Sequence, residues 1–352
     1  MKVIHWMPLD HDGESIIGGH KTQITNTVQG LKAIGVDAHV EYGLNPQFPQ
    51  KSIVHIYGGD EMSILKLKLA GVKVVVSPIY WPEYINDTYA NGFHRLFVKC
   101  KSYLSVAKRI LTKKTYPELS CFSLGLKYAR MSRMYSMADL IVPNSTLEGN
   151  AIKNDLGIVT ITYVVPLAVD RTVFYNTRKS RSDDLIAYVG RIEPHKNQLK
   201  LVKAMQGQHY RLVLAGQLHP HHLDYCNRVL RYCTNNVSYA GHGDVDFVRN
   251  LYNQATIHIL PSWSETVGLT SLEASACGCK VIHTKNGFGR EYFGETAEYC
   301  DPSSTMSIRK SIQSTRESDS VLFDQSRRLS EYTWVNTALR LLDAYQTIRS
   351  SD

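Results

Sequence analysis

The chain has 352 residues, 43% hydrophobic and 20% charged, with a net charge of +8. That composition excludes a disordered chain, and the length exceeds what one hydrophobic core usually organises, so about two domains are expected. No run approaches the roughly 18 uninterrupted apolar residues of a membrane span, and seven cysteines without a CxxC pair read as reduced thiols rather than a disulfide framework.

The opening, MKVIHWMPLDHDG, meets Asp10 and Asp12 too soon to be a secretory signal, so a cytoplasmic protein is expected. Val3 to Met7 reads as a strand, followed by a loop with Gly13, Gly18 and Gly19. KTQITNTVQGLKAIG then places Ile24, Val28 and Leu31 on one helical face. Strand-length apolar runs recur at SIVHIYG, VKVVVSPIY and ADLIVPNS, with a helical stretch, DEMSILKLKLAG, between the first two. A weaker run, TITYVVP, closes the first half. Strands alternating with helices imply a parallel sheet covered on both faces.

The excess positive charge is local. From His94 to Arg133 there are ten Lys or Arg against one acid, Glu118, which points to an anionic partner such as nucleic acid, anionic lipid or a phosphorylated substrate. Within residues 94–116, Leu96, Phe97, Leu104, Ala107, Ile110 and Leu111 recur near helical spacing while Lys101, Lys108 and Lys113 fall elsewhere. An interfacial helix docking on an anionic membrane has this pattern, and so does a helix packed on a sheet with solvated lysines. The expected location is therefore cytoplasmic with peripheral attachment.

A polar interval, YNTRKSRSDD, follows Phe174, and the linker is placed at about 171–184. The pattern then restarts: LIAYVG, YRLVLAGQ, TIHILPS and CKVIHT read as strands, NQLKLVKAMQ, DVDFVRNLYNQ and LTSLEASACG as helices. Asp10-His11-Asp12 and Asp244-Val245-Asp246 fit a DxD metal motif, but Asp244 reads as a helix N-cap, and no metal is expected.

The segment LPSWSETVGLTSLEASACGCKVIHTKNGFGREYF carries Glu265 and Glu273, with seven residues between them. Glu265 falls in a loop at the C-terminal end of a strand, where open α/β sheets bind ligands. The helix that follows begins at Val267, Gly268 and Leu269, and unpaired N–H groups at a helix start bind phosphate. Acids flanking an anion site suit a ligand with phosphates in the middle and hydroxyls at both ends, such as a sugar nucleotide. Arg191 and Lys196, in the loop after YVG, supply cations at the same sheet edge.

From YVGRIEPHKNQLKLVKAM through LVLAGQ and VSYAGHGDVDFVRNLYNQATIHILPSWSETVGLTSLEASACGCKVIHT to NGFGREYF, the chain resembles the retaining GT-B glycosyltransferases of family GT4, the group 1 type. That resemblance implies an α/β fold of two Rossmann-like doubly wound domains facing across a cleft. The expected divisions are 1–172 on the acceptor side, 173–330 holding the donor, and a last helix in 331–352 crossing back to the first domain. It further implies that Arg191 and Lys196 contact the donor diphosphate, Glu265 the transferred sugar and Glu273 the ribose. Glu291 shapes the sugar pocket, and Gly18 and Gly19 form the glycine loop that admits the donor.

The chain departs from the family at Thr266 and Val267 after the loop glutamate, and at PLAVD, where only Val169 and Asp170 match the usual turn. Ser77 and Pro78 stand where many relatives have a histidine, so no first-domain base is named; in the family a donor phosphate oxygen is thought to help deprotonate the acceptor. Tyr80, Trp81 and Tyr84 offer aromatic faces for an acceptor sugar, though core packing accounts for such residues equally well. The expected activity is hexosyl transfer with retention from a UDP- or GDP-sugar to a glycan or lipid-linked acceptor in glycan, polysaccharide or glycolipid biosynthesis, without a metal. The alternatives are a nucleotide-sugar epimerase or hydrolase on the same fold and, more remotely, a nucleic-acid binder.

Overall fold

In the computed structural model of the chain, residues 1–7, 19–43, 47–80, 127–318 and 329–349 are described. They fall into two compact units: Met1–Ser15 with Val36–Val164 and Leu342–Asp352, and Ile16–Gly35 with Val165–Leu341.

The first unit holds five parallel strands, β1 (Lys2–Met7), β2 (Asp37–Tyr42), β3 (Ile53–Tyr57), β4 (Lys73–Ser77) and β5 (Leu140–Ile141), in the order β2-β1-β3-β4-β5. Helix α1 (Gly19–Ala33) follows β1 in sequence and groups with the second unit. Helix α2 (Glu61–Leu69) starts where the Asp60 carboxylate accepts from the N–H groups of Met62 and Ser63. Helix α3 (Lys127–Met137) precedes β5.

Val3, Ile4, Val54, Ile56, Val74, Val75 and Val76 are at most 1% exposed, as strands covered on both faces require. The sequence reading misses β2, DAHVEY. It is an edge strand paired only with β1, and Ala38 alone among its six residues is buried. ADLIVPNS yields only two strand residues, because Pro143 lacks an N–H for the ladder and Ser145 already caps helix α4 (Thr146–Leu156) by accepting from Glu148 N at 3.0 Å. TITYVVP forms no strand and contributes one bridge, Ile141 to Thr162.

The second unit carries six parallel strands: β6 (Ser182–Val189), β7 (Arg211–Ala215), β8 (Val237–Tyr239), β9 (Ala255–Leu260), β10 (Lys280–Thr284) and β11 (Glu298–Cys300). Their order is β11-β10-β9-β6-β7-β8. Leu185, Ala187 and Val189 of β6 join one buried cluster, while Ile186 and Tyr188 join the other; this alternation is the period of a strand buried on both faces.

The crossovers from β6 run outward through helix α5 (Gln198–Met205) to β7 and through α6 (Leu223–Leu230) to β8. The chain then returns through α7 (Val245–Gln254) to β9 on the other side of β6. A topological switch point therefore lies between β6 and β9, and ligands of such sheets bind outside the strand ends there.

Helix α8 (Leu269–Ala276) follows β9 and is closed by Gly278 at φ +90°. The short α9 (Arg290–Phe293), α10 (Thr305–Glu317) and α11 (Trp334–Arg349) complete the described chain. No helix of the described residues is long and apolar enough to cross a membrane.

Candidate active site

Two loops leave the sheet at this switch point, one after β6 and one after β9, and three consecutive residues tie them together. The His195 ring donates through Nε2 to Ser264 O at 2.8 Å, and Trp263 N donates back to His195 O at 3.0 Å. The Asn197 amide donates to Pro261 O at 3.0 Å, from a left-handed backbone position (φ +60°) that asparagine tolerates. Between them Lys196 Nζ meets Glu265 Oε1 at 2.6 Å. The sequence reading placed Lys196 and Glu265 at one sheet edge; the structure makes them an ion pair.

Glu265 is 8% exposed. Burial opposes its charge, but the Lys196 ammonium, with His195 beside it, prevails and holds the carboxyl at about 2. The anion is also fixed through its backbone. Glu265 bridges to Gly287 in parallel fashion, and its carbonyl accepts from Phe288 N at 2.9 Å. Gly287 sits at φ +95°, and a Cβ there would fall 2.0 Å from Glu265 O, so only glycine fits. The NGFG stretch thus sets the place of the glutamate 22 residues before Gly287.

Gly268 precedes α8 at φ +83°, and a Cβ on it would stand 2.7 Å from His283 Nε2. His283, the fourth residue of β10, is fully buried, donates through Nδ1 to Thr284 O at 2.9 Å, and is held below the ordinary imidazole range by burial. This neutral ring under the helix start is absent from the sequence reading. The only signal was a polar residue inside CKVIHT. Val267 is buried, while Leu269 is partly accessible at the first helical position.

Glu273 is half-buried one turn into α8, and burial pushes its carboxyl up to about 8. The two glutamates of the motif are thus shifted in opposite directions: Glu265 toward the ionised form beside its lysine, Glu273 toward the protonated form by burial. Arg191 is half-exposed, with Nε 3.6 Å from Glu193, which also faces His219 at 3.7 Å. Its carbonyl accepts from Gln198 at 2.6 Å. Glu193, the acid that faces Arg191, was not picked out in the sequence. Glu291 is partly buried in the four-residue α9.

Asp244 caps α7 by accepting from Phe247 N at 2.8 Å, and Asp246 pairs with Arg249 at 2.8 Å. Among the described residues no three His, Cys, Asp or Glu side chains cluster as metal ligands. Gly19 begins α1. Tyr80 corrects an expectation: it is fully buried, with its hydroxyl on the Asp155 carboxylate, so it packs inside the first unit instead of presenting a face to an acceptor. Gly18, Trp81, Tyr84 and the basic segment 94–116 lie outside the described residues.

Residues 171–333 match the family described as glycosyl transferases group 1. The chain is 26% identical over 188 residues to a serotype-specific mannosyltransferase, WbdA, of Escherichia coli, covering 48% of this chain and 22% of that protein. It is 25% identical over 173 residues to the O-antigen chain mannosyltransferase B of Escherichia coli, covering 46% of this chain and 45% of that one. The chain thus spans less than half the length of either curated relative.

Among solved structures, it matches a sucrose-phosphate synthase of Thermosynechococcus elongatus with a TM-score of 0.73 and 16% identity, covering 100% of both chains. It matches Anabaena HepE in complex with UDP and glucose with a TM-score of 0.62 and 14% identity, covering 99% of this chain and 100% of that one. These likenesses fix the fold as the two-sheet α/β architecture of the GT-B glycosyltransferases.

Proposed function

We propose that the chain, whose residues 171–333 carry the group 1 glycosyl transferase domain, transfers a hexose from a nucleoside-diphosphate sugar to a hydroxyl of a growing glycan, with retention at the anomeric carbon. The observation that carries this reading is the Lys196–Glu265 pair, 2.6 Å apart at the β6–β9 switch point and just before the start of α8. The site offers, within one sheet edge, cations and helix N–H groups for a diphosphate and carboxyl groups for hydroxyls on either side of it. Mannose from a GDP-linked donor is the favoured sugar, because the curated relatives are named as mannosyltransferases. Anabaena HepE binds UDP and glucose, which keeps UDP-sugars in the candidate set.

In this reading Arg191, Lys196 and the N–H groups at Gly268 and Leu269 meet the charge that grows on the leaving diphosphate. Stabilisation there lowers the barrier because the charge is larger in the transition state than in the ground state. Glu265, ionised and immobile, accepts hydroxyl hydrogen bonds from the transferred sugar. Glu273 accepts from the ribose, and Glu291 closes the sugar pocket. No metal takes part, since the cations do its work. Gly18 and Gly19 admit the donor, Trp81 and Tyr84 are the remaining aromatic candidates for the acceptor, and residues 94–116 hold the protein to an anionic membrane where a lipid-linked acceptor resides.

The two glutamates separate experimentally. Glu265→Ala is expected to abolish transfer while the bare nucleoside diphosphate still binds, whereas Glu273→Ala weakens nucleotide binding itself. Calorimetric titration with UDP and GDP, alongside turnover, reads both. Full transfer by Glu265→Ala removes the sugar-binding role. Free sugar or an epimerised donor in place of a glycoside product favours a hydrolase or epimerase.

A further inference from the structure

Arg191 stands on a continuation of β6 beyond its last strand residue, Val189. On one side that continuation is paired with the chain leaving β7. Gly190 N donates to Ala215 O at 2.9 Å, Ile192 N to Gln217 O at 2.9 Å, and His219 N to Ile192 O at 3.2 Å, so that Ile192 and Leu218 form a parallel bridge. Successive residues of a strand turn their peptide groups to opposite sides of the ladder. Arg191 O and Glu193 N therefore face the other side, where β9, the neighbour of β6, has already ended at Leu260.

Gln198 takes the place of the missing strand. It is the first residue of α5, directly after the left-handed Asn197, and its side chain is fully buried. Its Nε2 donates to Arg191 O at 2.6 Å, and its Oε1 accepts from Glu193 N at 3.3 Å. A residue of a parallel strand engages its neighbour in the same way, one N–H and one C=O to the groups on either side of a single residue; here a side-chain amide supplies both. The rest of the amide is occupied too. Nε2 donates to the Tyr188 hydroxyl at 2.7 Å, and Oε1 accepts from the Tyr225 hydroxyl at 3.2 Å. The orientation of the amide is fixed, because the Arg191 carbonyl can only accept and the Glu193 N–H can only donate.

The two backbone groups that Gln198 holds belong to the two halves of one ion pair. The Glu193 carboxylate lies 3.6 Å from the Nε edge of the Arg191 guanidinium, and His219 Nε2 lies 3.7 Å from the same carboxylate. His219 Nδ1 accepts from His221 N at 3.2 Å, so the neutral ring carries its proton on Nε2, toward Glu193. Glu193 thus engages one edge of the guanidinium and leaves its terminal fork for an anion. A half-exposed arginine has many rotamers to lose; fixing the backbone beneath it and the carboxylate beside it narrows them before a ligand arrives.

We propose that Gln198 is a positioning residue for Arg191, a surrogate strand that holds the arginine where it meets the donor diphosphate without touching the ligand itself. The inference rests on the glycosyl-transfer reading, which makes Arg191 a contact of that diphosphate. Every residue in it belongs to the second unit. An apolar side chain at 198 leaves Arg191 O and Glu193 N without their partner, and the strand continuation is then held from the β7 side alone. A displacement of about 1 Å at such a point is enough to cost a charged contact much of its effect.

Gln198→Met keeps the volume and removes the amide, and calorimetric titration with UDP, GDP and ADP reads its effect without turnover. The variant is expected to bind the preferred nucleoside diphosphate at least about tenfold more weakly. In an Arg191→Ala background the same substitution is expected to change affinity by less than about twofold, since it has no arginine left to act through. A residue that only supports the fold gives the same loss in both backgrounds, so equal losses overturn the proposal, as does unchanged affinity in a folded Gln198→Met protein. If Gln198→Met does not fold, Tyr225→Phe takes its place. It removes one bond to the amide and one to Leu199 N, and neither Arg191 nor Glu193 is touched. About fivefold weaker binding with Arg191 present and less than about twofold without it support the role; equal losses, or none, overturn it. Wild-type protein that binds no nucleoside diphosphate defeats the glycosyl-transfer reading and the positioning role with it, whereas wild-type binding with equal losses defeats the positioning role alone.

Discussion

Lys196→Ala is expected to lower kcat/KM for the nucleotide sugar by roughly 10²–10³-fold, the loss seen when one donor to a developing oxyanion is removed. The same substitution is expected to cost about 3 kcal/mol of stability, the lower end for breaking a buried pair, because the ammonium keeps some contact with water at 23% side-chain exposure. Most of that cost belongs to the Glu265 carboxylate left behind, since burial then acts on it without the opposing cation. Lys196→Ala with Glu265→Ala should therefore recover most of the stability and none of the activity. Chemical denaturation of the single and double variants, read beside their turnover, checks both halves. A single variant as stable and as active as the wild type means the pair is surface decoration.

Acid should unfold this protein steeply, and well above the pH at which carboxylates titrate. His5, His55, His258 and His283 are all at most 1% exposed and all held below the ordinary imidazole value, chiefly by burial, with His5 and His258 at about 3. A folded-state pKa below the unfolded value of about 6.5 means stability that is full above pH 6.5 and is lost as pH falls toward the folded value. A histidine held well below pH 5 contributes a slope of about 1.4 kcal/mol per pH unit in that window, so His5, His55 and His258 together give about 4 kcal/mol per unit near pH 5, and His283 acts in the same direction. Glu273 acts in the opposite direction. Its raised pKa of about 8 stabilises the folded state most below pH 4.5 and less as pH rises through 8, which softens the acid slope without reversing it. Urea denaturation at pH 7, 6 and 5 should show the steep decline, and flat stability across that range would mean that these rings are not buried and neutral together.

The sequence made the strand and helix runs legible wherever both faces of an element are buried, as in VKVVVS or TIHILP, because continuous apolar stretches leave few alternatives. It hid the edge elements: β2 and the three-residue β8 and β11 carry too few apolar residues to stand out. Glu265 was legible as a loop acid at a strand end, and Gly268 as a helix start. What positions them was not. The Glu265–Gly287 bridge joins residues 22 apart through a backbone pairing that no side chain announces, and His283 acts from β10 beneath a glycine of another element. The buried His55–Tyr345 hydrogen bond is further from view, since the two residues are 290 apart and become neighbours only when α11 packs. Tyr80 shows the reverse failure: an aromatic residue at a strand end looks like a sugar platform until its burial is known.

The central claim is that the β6–β9 switch point binds a nucleoside-diphosphate sugar through Lys196, Arg191 and the start of α8. Incubating the wild-type protein with GDP-mannose, UDP-glucose and other nucleotide sugars in EDTA, with thermal shift read on the donor alone and diphosphate release read with a panel of glycan acceptors present, tests it most directly. The account expects one donor to raise the melting temperature in proportion to its occupancy and to release its diphosphate without metal, with Lys196→Ala losing both responses. No shift with any nucleotide or nucleotide sugar, or release that needs added Mn²⁺ and survives Lys196→Ala, would contradict it.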